Sequence, residues 1–358
     1  MKIKSLKSKA EVFLTIVVIL GLAVFLSGCT EEKFYTKDFF AMDTWMSVQI
    51  AGDFSEEEMQ KHLSTIEARI RELENIFSVT LQGSDLYRVN NYAGETITIE
   101  NEDFINILSE ALSYEQLTDR AFSPRLYKIS REWGFTTGNY TVPDDFLIKS
   151  YLEEIDASEI FVTDGNVIKT NGVMLDFGAI AKGYATDCIV EYIKENDIPK
   201  AIINLGGNVY VHGSRDENTG WSVGIADPFA DRLLGIIDIT DACVVTSGNY
   251  ERYFEQDGVR YNHIIDSQTG YPAENSLTSV TIISTDASYA DALSTALFVM
   301  GTEKAIDFWR NNAGFEFILV TEDKEIYYSN ELDKEGIFNS NEEIFSDRYV
   351  LRPVGKAE

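Results

Sequence analysis

Cysteine is scarce in this 358-residue chain, which contains only Cys29, Cys188 and Cys243. These residues are far apart and form no Cys-x-x-Cys motif, so the sequence predicts no disulfide framework. Cys188 and Cys243 lie in apolar stretches, and we expect both to be small buried residues. Their spacing leaves open whether they pair with each other outside the cytoplasm.

Positive charge is scarce as well. The chain has 30 Lys and Arg residues against 59 Asp and Glu residues, and its formal net charge is −29. Nucleic acids and anionic lipid headgroups are polyanions, which such an acidic protein repels. We therefore expect no nucleic-acid partner, and we attribute most of the charge to solubility.

The apolar run near the N terminus is shorter than a typical transmembrane span. Residues 12–26 are uncharged, and lysines precede them at positions 2, 4, 7 and 9. A basic segment followed by an apolar run of this length is typical of a signal peptide rather than of a membrane-spanning helix. The sequence therefore predicts a signal peptide over residues 1–28.

The apolar run ends in the tetrapeptide Leu-Ser-Gly-Cys, whose last residue is Cys29. Small residues followed by cysteine are typical of a bacterial lipobox, in which the cysteine is lipidated and becomes the new N terminus. We expect Cys29 to anchor the protein at the extracytoplasmic face of the bacterial cell membrane, because several acyl chains together bind a bilayer stably. The alternative is an uncleaved membrane helix with an incidental cysteine.

The rest of the chain contains no linker rich in Pro, Ser or Gly and no internal repeat. A short linker over residues 29–38, followed by one domain over residues 39–352, is the simplest organisation. The predicted helices and strands alternate without a regular βαβ rhythm. This order favours an α+β fold over a doubly wound α/β fold.

The best defined helix starts at Ser55, with Glu58 three residues later completing a capping box. Apolar residues then follow at spacings of three or four, which predicts one buried helix face in the core. These residues are Met59, Leu63, Ile66, Ile70, Leu73 and Phe77.

Neither a P-loop nor a dinucleotide-binding fingerprint occurs in the chain. Segment 175–187 instead predicts a strand end, a glycine-containing turn and a helix start. Backbone N–H groups at a helix start favour an anion, and Lys182 suits a phosphate group. A second glycine turn, at Gly206 and Gly207, fits either a tight turn or a close backbone approach to a ligand.

Polar residues are dense in segment 246–272, which contains His263. Histidine is the most common acid–base residue, so His263 is a candidate catalytic group. The other two histidines, His62 and His212, lie in an amphipathic helix and at a strand end. We expect these two to be structural or solvated.

Asp291 and Thr295 are four residues apart in a predicted helix, so their side chains share one face. Two hard oxygen ligands in this arrangement suit Mg²⁺. An aspartate near a helix start can also interact with the helix dipole alone. The two residues by themselves leave both interpretations open.

In their order and spacing, these segments together resemble the ApbE family of FAD:protein FMN transferases. The resemblance extends over residues 39–322 and is most specific in segments 175–187 and 245–301. The lipobox agrees with it, because many members of the family are lipoproteins. Further agreeing positions are Met42, Ser78, Ser84, Asn90 and segment 121–135.

The resemblance implies a T-fold-related α+β arrangement of mixed sheets with packed helices, in which FAD binds between two lobes. It implies a Mg²⁺ site formed by the Ala179 carbonyl with Asp291 and Thr295, assisted by Ser294. It also implies catalytic roles for His263 and Asp291. The positions that match FAD contacts are Met42, Ala121, Phe122, Ser123, Asp176, Lys182 and Ile265.

The sequence departs from the family pattern at positions that bear on flavin affinity and substrate fit rather than on the metal ligands. Asp43 stands where the family usually has Gly, and Ser123 stands where it usually has Asp. The other departures are Thr80 for an aromatic residue, Arg125 for a small residue and Ser267 for Pro.

The activity that the resemblance implies is a Mg²⁺-dependent transfer of FMN from FAD to a Thr or Ser hydroxyl of an acceptor flavoprotein, with release of AMP. In the family, the acceptors include subunits of membrane redox complexes. Two alternatives remain, of which the first would use the same residues. One is a Mg²⁺-dependent FAD pyrophosphatase with water as the nucleophile, and the other is a flavin-binding lipoprotein without enzymatic activity.

Overall fold

The computed structural model describes residues 33–163, 165–170, 172–216, 219–335 and 349–356. The predicted signal peptide and Cys29 lie outside these residues. The described helices are α1 (Glu56–Phe77), α2 (Asp85–Asn91), α3 (Glu102–Leu117), α4 (Tyr127–Glu132), α5 (Asp145–Asp156), α6 (Ala181–Glu195) and α7 (Ala287–Asn311), followed by a 3₁₀ helix (Asn330–Glu335).

Strands precede, separate and follow these helices. They are β1 (Tyr35–Ala41), β2 (Thr44–Ala51), β3 (Thr96–Thr98), β4 (Ile160–Thr163), β5 (Asn166–Lys169), β6 (Lys200–Leu205), β7 (Asn208–His212), β8 (Trp221–Ala226), β9 (Leu233–Ile239), β10 (Ala242–Gly248), β11 (Tyr253–Gln256), β12 (Val259–Asn262), β13 (Leu277–Ser284), β14 (Phe315–Thr321), β15 (Glu325–Ser329) and β16 (Val350–Val354).

Nine of the strands form one sheet in the order β1-β2-β6-β7-β10-β13-β14-β15-β16. Neighbouring strands in this sheet are antiparallel, except for β15 and β16, which are parallel. The smaller sheets are β3-β5-β4, β8-β9 and β11-β12. Antiparallel sheets with packed helices confirm the predicted α+β class.

Helix α1 forms as its sequence predicts. The Ser55 side chain accepts the N–H of Glu58, and the Glu58 carboxylate accepts the N–H of Ser55 at 2.8 Å. All of the predicted apolar positions are buried. The helix is therefore held both by its cap and by the burial of one face against β1 and β2.

The nine-stranded sheet separates two apolar layers. On one face, α1, α6 and α7 pack over buried residues such as Ile203 and Val280. On the other face, the β8-β9 hairpin contributes Val223 to a smaller core with Ile318. Helices α6 and α7 pack against each other on the larger core, which brings the two predicted metal-binding segments side by side.

Helix α7 consists of two helical segments that meet at Gly301, whose φ of 75° and ψ of 172° are not helical. Glycine is the residue that adopts a positive φ without a steric cost, so the helix axis can change direction at this position.

The predicted linker over residues 29–38 is wrong at its C-terminal end, because residues 35–38 belong to strand β1. This strand pairs with β2 along its whole length, from Tyr35 opposite Ile50 to Ala41 opposite Thr44. The folded part therefore begins before residue 39. None of the described helices is long and apolar enough to cross a bilayer.

Candidate functional site

The turn that precedes α6 leaves one backbone carbonyl uncommitted. In a regular α-helix the N–H of Gly183 would donate to the carbonyl of Ala179, four residues earlier. Here the Gly183 N–H donates instead to Oδ2 of Asp291 on α7, at 2.9 Å. Within the described part of the chain, no other group donates to the Ala179 carbonyl. This oxygen is therefore available to a ligand.

Asp291 is buried, and its two carboxylate oxygens have different partners. Oδ2 accepts the Gly183 N–H, and Oδ1 lies 3.5 Å from Nζ of Lys182. Both partners belong to the first turn of α6. Thr295 lies one turn further along α7 and is half-buried, and its hydroxyl bonds to no described residue.

Ser294 does not offer a free oxygen in the same way. Its side chain is fully buried, and its hydroxyl donates to the backbone carbonyl of Asp291 at 2.8 Å. The hydroxyls of Ser294 and Ser247 are 2.7 Å apart. Ser294 therefore ties α7 to β10, and the structure does not support an additional role for it as a metal ligand.

Gly183 permits the close approach of α6 and α7. A Cβ atom at this position would lie 2.2 Å from the carbonyl oxygen of Ala287 and 2.8 Å from Cβ of Asp291. Neither distance is compatible with van der Waals contact. Any side chain at residue 183 would therefore push the two helices apart and move Asp291 away from the Ala179 turn.

The oxygen atoms at this corner match a hard cation. Among the described residues, no cluster of three or more His, Cys, Asp or Glu side chains is arranged to bind a metal. The predicted site instead combines one carboxylate, one hydroxyl and one backbone carbonyl, from Asp291, Thr295 and Ala179. Such neutral and anionic oxygens are the ligands that Mg²⁺ takes, with water or substrate phosphate completing its shell.

Asp176 links the same turn to the loop after α3. Its backbone N–H donates to the carbonyl of Pro124 at 2.8 Å, and its Oδ1 accepts the N–H of Gly178 at 2.8 Å. Desolvation raises the pKa of Asp176 above its ordinary value. The amide side chain of Asn90 exchanges two hydrogen bonds with the backbone of Leu175, at 2.7 and 2.8 Å, and so fixes the residue before Asp176.

Glu115 organises the loop that contains Ala121, Phe122 and Ser123. Its buried carboxylate accepts hydrogen bonds from Oγ of Ser123 at 2.5 Å and from Nε of Arg125 at 2.8 Å. The two departures from the family pattern in this loop therefore share one partner. The Phe122 side chain is buried in the core, so its contact with a ligand is limited to the backbone.

Met42 and Asp43 form the two-residue turn between β1 and β2. Their φ angles of 46° and 60° are typical of a type I′ turn, and aspartate adopts this conformation more readily than most side chains. The Met42 N–H donates to Glu74 on α1 at 2.7 Å. Asp43 forms an exposed ion pair with Arg252 at 3.1 Å.

His263 follows β12, and its ring orientation is defined by one carbonyl. Nδ1 lies 3.2 Å from the backbone oxygen of Arg252, which also accepts the His263 N–H at 3.0 Å. Because a carbonyl oxygen only accepts, Nδ1 carries the hydrogen and Nε2 keeps its lone pair. Desolvation of the half-buried ring, together with the charges of Arg252 and Lys182, lowers the pKa of His263 to about 4.

Ile265 is buried in the turn after His263 and forms an isolated bridge with Pro272. Ser267 donates its hydroxyl to the backbone carbonyl of Arg120. The indole N–H of Trp133 donates to the carbonyl of Gly270 at 2.9 Å. The Ser267 contact joins the turn to the loop after α3, and the Trp133 contact joins it to the end of α4, so hydrogen bonds connect the predicted FAD-contacting segments.

Glu251 is a carboxylate near the site that the sequence patterns do not single out. Desolvation raises the pKa of its carboxyl to about 7, and the negative charge of Asp291 acts in the same direction, while Lys182 and Arg252 act against it. The residue as a whole is exposed. It lies within the polar segment 246–272, which is the one signal in the sequence that points to it.

The remaining predictions concern cysteines and histidines outside the site. Cys188 and Cys243 are both free thiols. Cys243 is buried as predicted, whereas Cys188 is only half-buried, and desolvation raises the pKa of its thiol to about 11. Nδ1 of His62 lies 2.8 Å from the hydroxyl of Tyr192. His212 lies 2.7 Å from the carboxylate of Asp241. The contacts of both histidines fit the structural role that was predicted for them.

Comparisons with known proteins show two relatives that carry the same name. The FAD:protein FMN transferase of Klebsiella pneumoniae (strain 342) is 35% identical over 265 residues, which cover 73% of this chain and 82% of that protein. The FAD:protein FMN transferase of Treponema pallidum (strain Nichols) is 30% identical over 317 residues, which cover 84% of this chain and 88% of that protein.

A solved structure shows the same fold. The crystal structure of the ApbE protein from Thermotoga maritima MSB8 has a TM-score of 0.78 at 32% sequence identity, and the match covers 85% of this chain and 99% of that chain. The sequence model of the ApbE family matches residues 42–319, which contain every predicted site residue of the folded part. The chain therefore belongs to the ApbE family.

Proposed function

We propose that this protein transfers FMN from FAD to a Thr or Ser hydroxyl of an acceptor protein, with Mg²⁺ as cofactor and AMP as the second product. The observation that carries the proposal is the corner between α6 and α7. There the Gly183 N–H binds Asp291 and leaves the Ala179 carbonyl uncommitted. Two relatives, 35% and 30% identical to this chain, carry the name FAD:protein FMN transferase, which supports the same activity.

Asp291, Thr295 and the Ala179 carbonyl would hold the metal ion. These three groups suit Mg²⁺ because the Asp291 oxygen is anionic, the Thr295 hydroxyl is unpaired among the described residues and the Ala179 carbonyl lacks the helical hydrogen bond from Gly183. When bound, Mg²⁺ would neutralise charge that develops on the pyrophosphate oxygens of FAD. The orientation of Asp291 is already set by its two contacts with α6.

Lys182 would bind the pyrophosphate. Its Nζ stays 3.5 Å from Oδ1 of Asp291 and its side chain is partly exposed, so the charge is positioned but still accessible. A fixed positive charge of this kind stabilises a phosphate oxyanion without reorganisation.

His263 would accept the proton of the attacking hydroxyl. The Nδ1–H tautomer leaves Nε2 free, and the lowered pKa keeps the ring neutral at pH 7. The hydroxyl oxygen forms a bond to the phosphorus of FMN while the bond between that phosphorus and the bridging oxygen breaks. The proton goes to His263, and AMP leaves with the bonding electrons. Glu251 is the carboxylate that provides the alternative acceptor.

The experiment is an incubation of the purified protein with FAD, Mg²⁺ and a candidate acceptor subunit of a membrane redox complex. We expect a fluorescent acceptor whose mass increases by one FMN, together with an equal amount of AMP. An acceptor with its target Thr replaced by Ala, and a reaction with EDTA, are the matched controls. Release of FMN and AMP without an acceptor would identify a pyrophosphatase instead. Binding of FAD without turnover would identify a passive flavin carrier.

The site of action belongs to the same proposal. We propose that signal peptidase removes residues 1–28 and that lipidated Cys29 anchors the protein to the outer face of the bacterial cell membrane. The test compares the wild-type protein with a Cys29→Ser variant in a bacterial host, by fractionation and by labelling with radioactive palmitate. Label and membrane association should both disappear in the variant. An unlabelled wild-type protein would contradict the anchor.

A further inference from the structure

We propose that Asp187, on the second turn of α6, is a positioning residue that sets the spacing between the two halves of the metal site. This inference rests on the proposed metal site. It assigns a role to the last residue of segment 175–187, which the proposed chemistry does not use. Asp187 contacts none of the three predicted metal ligands, so its effect would pass through the geometry of the helices.

The Asp187 carboxylate accepts three hydrogen bonds from the start of α7. The backbone N–H of Ala287 donates to Oδ1 at 3.0 Å, and the backbone N–H of Ser288 donates to Oδ2 at 2.7 Å. The Ser288 hydroxyl donates to Oδ2 at 2.6 Å. Free N–H groups at a helix start are good partners for a carboxylate, and the positive end of the helix dipole strengthens the contact.

A second contact runs in the opposite direction one helical turn away. There a carboxylate of α7, Asp291, accepts a backbone N–H of α6, from Gly183. Gly183 and Asp187 are four residues apart on α6, and Ala287 and Asp291 are four residues apart on α7, so each pair shares one helix face. The two helices are thus joined by two reciprocal carboxylate-to-backbone contacts.

These two contacts bracket the proposed metal site. The Ala179 carbonyl belongs to the turn that leads into α6, whereas Asp291 and Thr295 belong to α7. A metal ion therefore has to be bound by the turn before α6 and by α7 together, so the distance between these two elements has to suit the ion. Gly183 allows the two helices to approach this closely, since a Cβ atom at this position would lie 2.2 Å from the carbonyl oxygen of Ala287. Asp187 supplies the attraction that holds the helices there.

The same helix start offers a matched control. Asp286 is the N-cap of α7, and its side chain accepts the N–H of Tyr289 at 2.8 Å. It therefore supports the same helix from within that helix, and among the described residues its side chain forms no hydrogen bond or ion pair with α6. Removing Asp286 weakens α7 without removing the bond between the helices, whereas removing Asp187 does both.

The experiment measures Mn²⁺ binding to the purified protein by electron paramagnetic resonance of the free ion, with Mg²⁺ as competitor. The proteins are the wild type, Asp187→Ala, Asp187→Asn and Asp286→Ala, and the melting temperature of each is measured without metal. We expect Asp187→Ala to bind Mn²⁺ about 10-fold to 100-fold more weakly, as for other residues that support metal ligands indirectly. Asp187→Asn should be intermediate, because one oxygen still accepts a backbone N–H.

Asp286→Ala should lower the melting temperature while leaving the Mn²⁺ affinity unchanged. Equal losses of Mn²⁺ affinity in Asp187→Ala and Asp286→Ala would overturn the inference, since helix stability alone would then explain both. Wild-type affinity in Asp187→Ala would overturn it as well, and it would leave the proposed function intact. If Asp187→Ala does not fold, Asp187→Asn provides the same comparison. Absence of Mn²⁺ binding to the wild type would contradict the metal site itself.

Discussion

The site has two sides that are held by different kinds of interaction. On one side, which we call the helix corner (residues 179–187 and 287–295), backbone N–H groups of each helix donate to a carboxylate of the other. On the other side, which we call the hairpin side (residues 251–263), His263 is held by one carbonyl and by an edge contact with the ring of Phe135. The exposed ion pair between Arg252 and Asp43 adds little, because such pairs contribute about 0–1 kcal/mol.

This difference suits the two tasks in the proposed reaction. Metal ligands need a fixed separation, and short buried contacts with backbone groups provide it. A proton acceptor has to meet hydroxyls of a second protein, so a less constrained setting is compatible with its role. Substitutions at the helix corner should therefore have large effects on both stability and activity. Substitutions at the hairpin side should act on activity or on pKa values.

The largest effect is expected from Asp291. Both Asp291→Ala and Asp291→Asn should reduce Mg²⁺-dependent FMN transfer on the order of 10³-fold, because several kcal/mol of charge stabilisation are lost. Only Asp291→Ala also leaves the Gly183 N–H without a partner, which costs about 1–3 kcal/mol of stability. Transfer rates and urea unfolding measure the two quantities separately. An Asp291→Ala protein with normal activity would contradict the metal assignment.

A methyl group at Gly183 should have the next largest effect. Gly183→Ala should lower the free energy of unfolding by about 1–3 kcal/mol, because the added Cβ overlaps the carbonyl of Ala287. It should also reduce transfer, since Asp291 moves away from the Ala179 turn. Gly83→Ala is the control, because no atom lies within 4 Å of a Cβ at that position. Equal free energies of unfolding for the two variants would show that the helix corner accommodates the added methyl group without strain.

Local patterns in the sequence predict the elements but not these contacts. The apolar stripe and capping box of α1 are local, and the structure has both. The Asp-Gly dipeptide at residues 257–258 forms the turn between β11 and β12, so this pair of strands also carries a local hairpin signal. The contact between Asp187 and Ser288 joins residues that are 101 positions apart, so no periodicity reveals it. The motif is visible in the sequence, but only the fold brings Asp187 next to the start of α7.

A moderate effect, on the chemical step alone, is expected at His263. His263→Ala should lower kcat by about 10²-fold or more with little change in stability, as for other general bases. A base works only when it is deprotonated, so the wild-type rate should stay constant from pH 8 down to pH 5 and fall only near the lowered pKa of about 4. Glu251→Gln provides the comparison. A rate that falls below pH 7 in the wild type, and not in Glu251→Gln, would identify Glu251 as the proton acceptor.

The smallest effect is expected at Arg252. Arg252→Ala keeps the backbone carbonyl that binds His263 and removes a positive charge that lowers the pKa of this histidine. The pKa of His263 should therefore rise, as measured by NMR titration of the imidazole, while stability changes by no more than about 1 kcal/mol. Arg352→Ala removes an ion pair with Glu325 whose arginine is similarly exposed, and it should leave His263 unchanged. An unchanged pKa in Arg252→Ala would mean that desolvation and the charge of Lys182 keep His263 neutral without Arg252, and the position of the ring in the fold would then set its pKa.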